Sequence, residues 1–270
     1  MKTAPCPSRA GKLRSMLNLL RSWLRRDAVQ TTTRPPAPVG RDAAALRRSI
    51  HHGDIYAGFV VDEYPLDLQG WNSDGPVFRR LLEEVRPGLI VELGTWKGGS
   101  ALHMCDLADR LGLHDVVLVC VDTWLGGAWH WMENQRPEAF PSLGCRHGYP
   151  TIYRQFLANV IRTGHSDKIV PIPNTTDAAA EIFRSTGAGP IDLLYIDASH
   201  EEPAVFADIL HWWPMVRPGG IAFGDDFIAD YPGVERAVRR FAEERALAIE
   251  VAREKWIIRK PSAPEAAATR

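Results

Sequence analysis

Five short apolar runs, alternating with helix-like segments, constrain this chain more than any other feature. The runs are "GLIVEL" (88–93), "DVVLVCV" (115–121), "KIVPIP" (168–173), "PIDLLYI" (190–196) and "GGIAFG" (219–224). Their residues do not alternate between apolar and polar, so each would be buried on both faces, as strands of a parallel sheet are. The segments "GPVFRRLLEEVRP", "GGSALHMCDLADRL", "DAAAEIF", "EEPAVFADILHWWPMV" and "GVERAVRRFAEE" supply the covering helices. The rhythm breaks at the end: "LAIEVA" and "WIIRK" are joined by a link around Arg253 to Lys255, too short for a crossover helix. They must pair as a hairpin, which places an antiparallel strand in the sheet. The expected fold is a single α/β domain over residues 51–260, a doubly wound, mostly parallel sheet with a C-terminal antiparallel hairpin. Ligands in such sheets sit beyond the carboxyl ends of the strands.

Residues 1–50 read differently. Lys2, Arg9, Lys12, Arg14, Arg21, Arg25, Arg26, Arg34, Arg41, Arg47 and Arg48 face only Asp27 and Asp42, and "TTTRPPAPVG" has linker composition. Leu13, Met16, Leu17, Leu20 and Leu24 recur at helical spacing, a pattern that could dock on a membrane surface or a partner. The preferred reading is a basic, disordered extension without membrane contact, and 261–270 reads as a disordered tail. No apolar stretch reaches the roughly 18 residues of a membrane span. A net charge of −1 argues against nucleic acid as a partner. Cys6, Cys105, Cys120 and Cys145 form no C-x-x-C pair, which suits free thiols in a reducing cytoplasm. A homo-oligomer is left open.

The residues with chemistry fall at the strand ends. "VELGTWKGGS" (91–100) has glycines at 94, 98 and 99 for a tight turn and close ligand approach. It is not G-x-G-x-x-G, and Trp96 stands where a pyrophosphate needs bare backbone, so NAD is disfavoured and a smaller nucleoside ligand is not. Asp122, closing the second strand, is placed to accept hydrogen bonds from ribose hydroxyls. "FGDDF" sets Asp225 and Asp226 at the mouth of the fifth strand, next to Asp197 on the fourth, and this oxygen set suits Mg²⁺. After Asp197, "SHEE" reads as an S-x-x-E capping box from Ser199 to Glu202, with His200 in the first helical turn as a candidate base. The long segment 123–150 carries Trp124, Trp129 and Trp131 and reads as a lid, or as a satellite hydrophobic cluster or dimer contact. "LQGWNSDGP" (68–76) is placed to close the site from the other side.

Together "VELGTWKGGS", Asp122, "YIDASHE" and "RPGGIAFGDDF" resemble the class I S-adenosylmethionine-dependent methyltransferases, in particular the Mg²⁺-dependent small-molecule O-methyltransferases of the catechol and antibiotic-sugar type. The resemblance covers about residues 70–260. It implies that Glu92, Gly94 and Ser100 surround the methionine part of the cofactor, that Trp96 is a cofactor-binding residue where the family often has an aromatic one, and that Asp122 takes the ribose hydroxyls. Thr175 and Thr176 would edge the adenine. It also implies that Asp197, Asp225 and Asp226 hold Mg²⁺, with Asp226 where the catechol enzymes have Asn and His200 where they have a lysine base. Asp197 and His200 are then the catalytic pair, acting on a hydroxyl of a sugar or other natural product. The alternatives are an NAD-type oxidoreductase, a hydroxylase-like relative with a similar metal site, and a non-catalytic nucleoside-binding protein.

Overall fold

The computed structural model describes residues 40–132 and 138–262. Seven strands form one sheet: β1 (Leu89–Leu93), β2 (Val117–Asp122), β3 (Ile169–Pro173), β4 (Ile191–Ile196), β5 (Val216–Gly224), β6 (Glu250–Ala252) and β7 (Lys255–Arg259). Their order is β3-β2-β1-β4-β5-β7-β6, with β1 to β5 parallel and β7 antiparallel to both its neighbours. The expected hairpin is therefore present, and β7 rather than β6 lies against β5.

The double covering explains the unbroken apolar runs. Leu89, Val91 and Leu93 join one core with Leu46, Phe183, Ile209, Trp212 and Phe241, whereas Ile90, Leu118, Tyr195 and Phe223 join another with Phe78, Leu81, Met104 and Phe156. Successive strand residues thus feed opposite faces, and both faces are dry. The first core is roofed by α1 (Ala43–His51), α6 (Thr176–Thr186), α7 (Glu202–Trp212) and α8 (Pro232–Glu243). The second lies under α2 (Pro76–Val85), α3 (Gly99–Arg110) and α5 (Ile152–Thr163), with the short α4 (Ala139–Ser142) beside it.

The start of the domain, expected at residue 51, is corrected. Asp42 caps α1 by accepting from the amides of Ala44 and Ala45, and Leu46 is fully buried. Arg47 Nη1 donates to the Ile169 carbonyl at 3.0 Å, and a ring nitrogen of His51 lies 2.8 Å from the Pro171 carbonyl oxygen. Arg41 pairs with Asp192 at 2.9 Å. The helix was hidden because its arginines, Arg47 and Arg48, look like a continuation of the basic run, although Arg47 is buried. Residues 1–39 and 263–270, and with them the expected extension and tail, lie outside the described residues, as do 133–137 of the long segment. Leu46→Ala should lower folding stability by about 2–5 kcal/mol, the usual cost of emptying a leucine site in a tight core. A denaturant midpoint equal to wild type would show that α1 does not support the fold.

Candidate functional site

The β1 end is built for close approach. Gly94 has φ +87°, and a Cβ there would stand 2.0 Å from the Asp197 carbonyl oxygen, so any side chain would drive β1 and β4 apart. Below this turn Glu92 is fully buried and accepts a hydrogen bond from the Ser100 hydroxyl at the start of α3. Its other oxygen, Oε2, and Thr95 Oγ1 are buried without a well-formed hydrogen bond. Buried polar atoms in that state, beside a turn with no room for side chains, suit the polar methionine end of a cofactor. Burial pushes the Glu92 carboxyl up to about 7, against the pull of the Ser100 hydroxyl.

This shift has a definite sign. The folded chain holds the Glu92 proton after the unfolded chain has lost it, so this group costs stability progressively as pH rises from about 4.5 to about 7. The cost should reach on the order of 3 kcal/mol. Glu92→Gln should remove that slope from a plot of denaturation midpoint against pH; a variant with the wild-type slope would assign it elsewhere.

Asp122 ends β2 and ties three segments together. Its Oδ2 accepts from the Trp96 amide at 2.8 Å and its Oδ1 from the Trp124 amide at 2.7 Å. Both tryptophans have φ +52°, a conformation that costs a non-glycine residue about 1 kcal/mol or more and persists only where the surroundings hold it. The Thr95 and Thr123 amides also pull on this carboxylate, which has about four acceptor sites that ribose hydroxyls would share with the amides. Thr175 caps α6, its hydroxyl accepting from the Ala178 amide. The Thr176 hydroxyl donates to Asp208 on α7.

The acidic cluster differs from the expected one. Ligand atoms of Asp197, His200 and Asp226 all lie within 4.8 Å of one another. His200 Nε2 is 2.8 Å from Asp226 Oδ2, and the ring stacks on Tyr231 at 4.1 Å between centroids. Asp226 has φ +60°, held by its amide on Asp225 Oδ1 and by the Phe227 amide on the Glu254 carbonyl. Asp225, expected as a ligand, is instead turned into the core, where its Oδ2 pairs with Lys255 Nζ at 2.7 Å. The side chains of the pair are only 3% and 5% exposed. Tyr195 connects the two halves: Lys255 donates to its hydroxyl at 3.1 Å, and that hydroxyl donates to Asp197 Oδ2 at 3.0 Å. Burial, then the neighbouring charges of Asp225 and Asp226, hold the Asp197 carboxyl well above the ordinary aspartate value. The two carboxylates of Asp197 and Asp226, with surplus negative charge and an imidazole beside them, form an oxygen donor set that fits a divalent cation.

The expected capping box is also corrected. Glu201 is the residue before α7, Pro203 opens its first turn, and the Ser199 hydroxyl accepts from the Glu201 amide at 3.3 Å. His200 therefore precedes the helix rather than lying in its first turn, because proline at the start already serves the end that a capping box would.

The long segment is split in role. Trp124 is core: 1% exposed, packed on Tyr153 and Phe156, with Nε1 donating to the Trp96 carbonyl. Trp129 and His130 stack at 3.6 Å between centroids, and His130 stacks on Trp96 at 4.7 Å. Trp131 is half-exposed and donates from Nε1 to the Leu125 carbonyl. Trp71, 54% exposed, comes within 6.3 Å of Trp96 and 6.5 Å of Trp129, so 68–76 does meet the β1 turn. Asn72 donates to Glu254 in the β6–β7 turn. Lys255 and Tyr195 were not singled out from sequence. The available signal was a lysine at the inward position of β7, in register with the apolar Ile257, where a charge needs a partner.

Cys105 and Cys120 are buried free thiols, and among the described residues no helix is long and apolar enough to cross a membrane. No curated protein matches the sequence. Solved structures do resemble the fold. CalS11, a TDP-rhamnose 3′-O-methyltransferase of calicheamicin biosynthesis, superposes with TM-score 0.51 and 17% identity over 79% of this chain and 91% of its own. An O-methyltransferase from Bacillus cereus in complex with S-adenosylhomocysteine gives 0.50 and 14% over 89% and 98%. Cofactor-bound Rv0187 from MTB gives 0.50 and 16% over 90% and 97%. Residues 91–227, just over half the chain, match the family described as methyltransferase domain. That span runs from the glycine turn of β1 through Asp122 and Asp197 to the Asp225–Asp226 pair. The chain belongs to this methyltransferase-domain family, on the class I S-adenosylmethionine-dependent fold.

Proposed function

We propose that the protein transfers a methyl group from S-adenosylmethionine to a hydroxyl of a small molecule, of sugar or natural-product type, with a divalent cation at Asp197 and Asp226. The observation that carries this reading is the convergence of three strand ends: the glycine turn and Glu92 on β1, Asp122 on β2, and the Asp197–His200–Asp226 cluster beyond β4 and β5. Glu92, Gly94 and Ser100 would hold the methionine end, and Asp122 the ribose. When bound, the cation supplies a Lewis acid that lowers the pKa of an acceptor hydroxyl, most readily Mg²⁺ or Mn²⁺ with these donors. Asp226 orients the His200 ring through Nε2, which leaves Nδ1 as the atom that takes the acceptor proton. Trp71 and Trp129 offer ring faces beside the turn, on which a sugar or an aromatic acceptor can stack. The activity of CalS11 on a TDP-sugar, on a similar fold, supports a sugar as the first acceptor to try. The test is methyl transfer from labelled S-adenosylmethionine to nucleotide sugars and phenolic diols with Mg²⁺ or Mn²⁺, repeated in chelator. Transfer that stops in chelator and returns with the metal is expected; undiminished transfer in chelator would remove the cation from the reaction.

A further inference from the structure

We infer that the cleft at the entry ends of β4 and β5 binds a small organic anion, a carboxylate carried on an apolar ring or short chain. The reaction proposed above uses the opposite ends of the same strands, roughly 17 Å away along β4, so this second site does not depend on it.

The cleft encloses about 490 Å³ between the turn after α6, the turn that leads into β5 and the residue that follows β7. That volume suits a ligand of one or two rings. Phe183, Ala188 and Val216, all buried, line its apolar side, and Arg184, Arg217 and Lys260 bring positive charge to it. These cations are short of acids. Among the described residues Asp192 is the one carboxylate paired with any of them, and it is shared between Arg217 Nε at 2.6 Å and Arg41 Nη1 at 2.9 Å. Lys260 instead gives two hydrogens to the Trp213 and Val216 carbonyls, at 2.9 and 2.7 Å, and its third finds no acceptor among the described residues. Burial holds the Lys260 pKa below the ordinary lysine value, with no acid beside it to restore it. Arg184 Nη2 donates to the His211 carbonyl, and its remaining N–H groups meet no acceptor among the described residues. Unspent cationic donors around an apolar recess suit one class of ligand. A carboxylate takes the hydrogens, and its ring or chain displaces water from Phe183 and its neighbours. Inorganic phosphate would leave the apolar side wet, and a neutral ligand would leave the ammonium unpaired. The other ends of the strands gather Asp122, Asp197 and Asp226, whose charge disfavours an anion there.

The test is calorimetric titration of the full chain with 2-naphthoate, 2-naphthol and inorganic phosphate, each with and without S-adenosylhomocysteine. Naphthoate should bind at one site per chain, about tenfold or more tighter than either of the others, and S-adenosylhomocysteine should leave its affinity unchanged. Arg184→Met, a change to an exposed side chain, should weaken naphthoate about tenfold, the scale of one charge-assisted hydrogen bond. Lys260→Met should weaken it by as much or more; if that variant does not fold, Arg184→Met decides alone. No binding of naphthoate would overturn the inference. Naphthol bound as tightly as naphthoate would also overturn it, by making the cleft a plain apolar recess. Wild-type affinity in Arg184→Met would do the same, as would naphthoate displaced by S-adenosylhomocysteine, which would put the probe in the cofactor site. A chain ending at Ser262 that binds naphthoate where the full chain does not would give the cleft to the residues beyond, and would overturn the inference too.

Discussion

Asp197→Asn should lower methyl transfer by on the order of 10³-fold, the scale of the several kcal/mol that a correctly held cation contributes to transition-state stabilisation. The substitution keeps size and backbone geometry and removes one of the two charges left to the ion. The Tyr195 hydroxyl, which donates to Asp197 Oδ2, can still donate to the amide oxygen of asparagine, so the change is chiefly one of charge. S-adenosylhomocysteine binding should be unchanged, because the polar contacts assigned to the cofactor belong to β1, β2 and the first turn of α3. A variant that retains its turnover would place the reaction away from Asp197. A variant that loses cofactor and turnover together would make Asp197 part of the cofactor pocket, which the close approach of its carbonyl to Gly94 makes a meaningful alternative.

His200→Ala should lower kcat by roughly 10²- to 10⁴-fold, the usual contribution of a positioned general base. The ring is held for that purpose at both faces of its function: Nε2 on Asp226 and the π-face on Tyr231. Mn²⁺ affinity in the cofactor-free protein should stay at the wild-type value. The opposite pattern, wild-type kcat at saturating metal with weakened Mn²⁺ binding, would make His200 a ligand and leave proton removal to solvent. His200→Gln, which can still donate to Asp226, separates loss of the base from collapse of the Asp226 turn.

The parts of this molecule that were legible in its sequence are those written in hydrophobic pattern. Leu89 to Leu93 and Ile191 to Ile196 must be buried on both faces, and a short link between β6 and β7 leaves only a hairpin. The positions of Asp122, Asp197, Asp225 and Asp226 at strand ends followed from the same pattern, since each directly follows or closes an apolar run. What could not be read was the direction in which side chains turn. Asp225 and Asp226 are chemically identical neighbours, and only the left-handed backbone at Asp226 and a lysine about thirty residues later decide which faces the site. Trp124 shows the same limit. Next to Asp122 in a tryptophan-rich segment it resembles its exposed neighbours, yet the Tyr153 and Phe156 rings of α5 give it a core place. Pro203 displaced the start of α7, so a sound local signal, S-x-x-E, lost to a stronger one. Helix α1 was missed because a short apolar face, Ala43, Leu46 and Ile50, is weak evidence within a basic run.

Methyl transfer by this protein requires a methyl-donor site at the ends of β1 and β2, and calorimetry with S-adenosylhomocysteine measures that site without any knowledge of the acceptor. Asp122 offers its carboxylate to the two ribose hydroxyls, a charge-assisted contact that NAD would share but that the Trp96 turn denies to a pyrophosphate. The predicted result is saturable binding of S-adenosylhomocysteine at one site per chain and no heat with NAD. Asp122→Ala should lose on the order of 2 kcal/mol of that binding. NAD binding in place of S-adenosylhomocysteine, or no heat with either, would contradict the account.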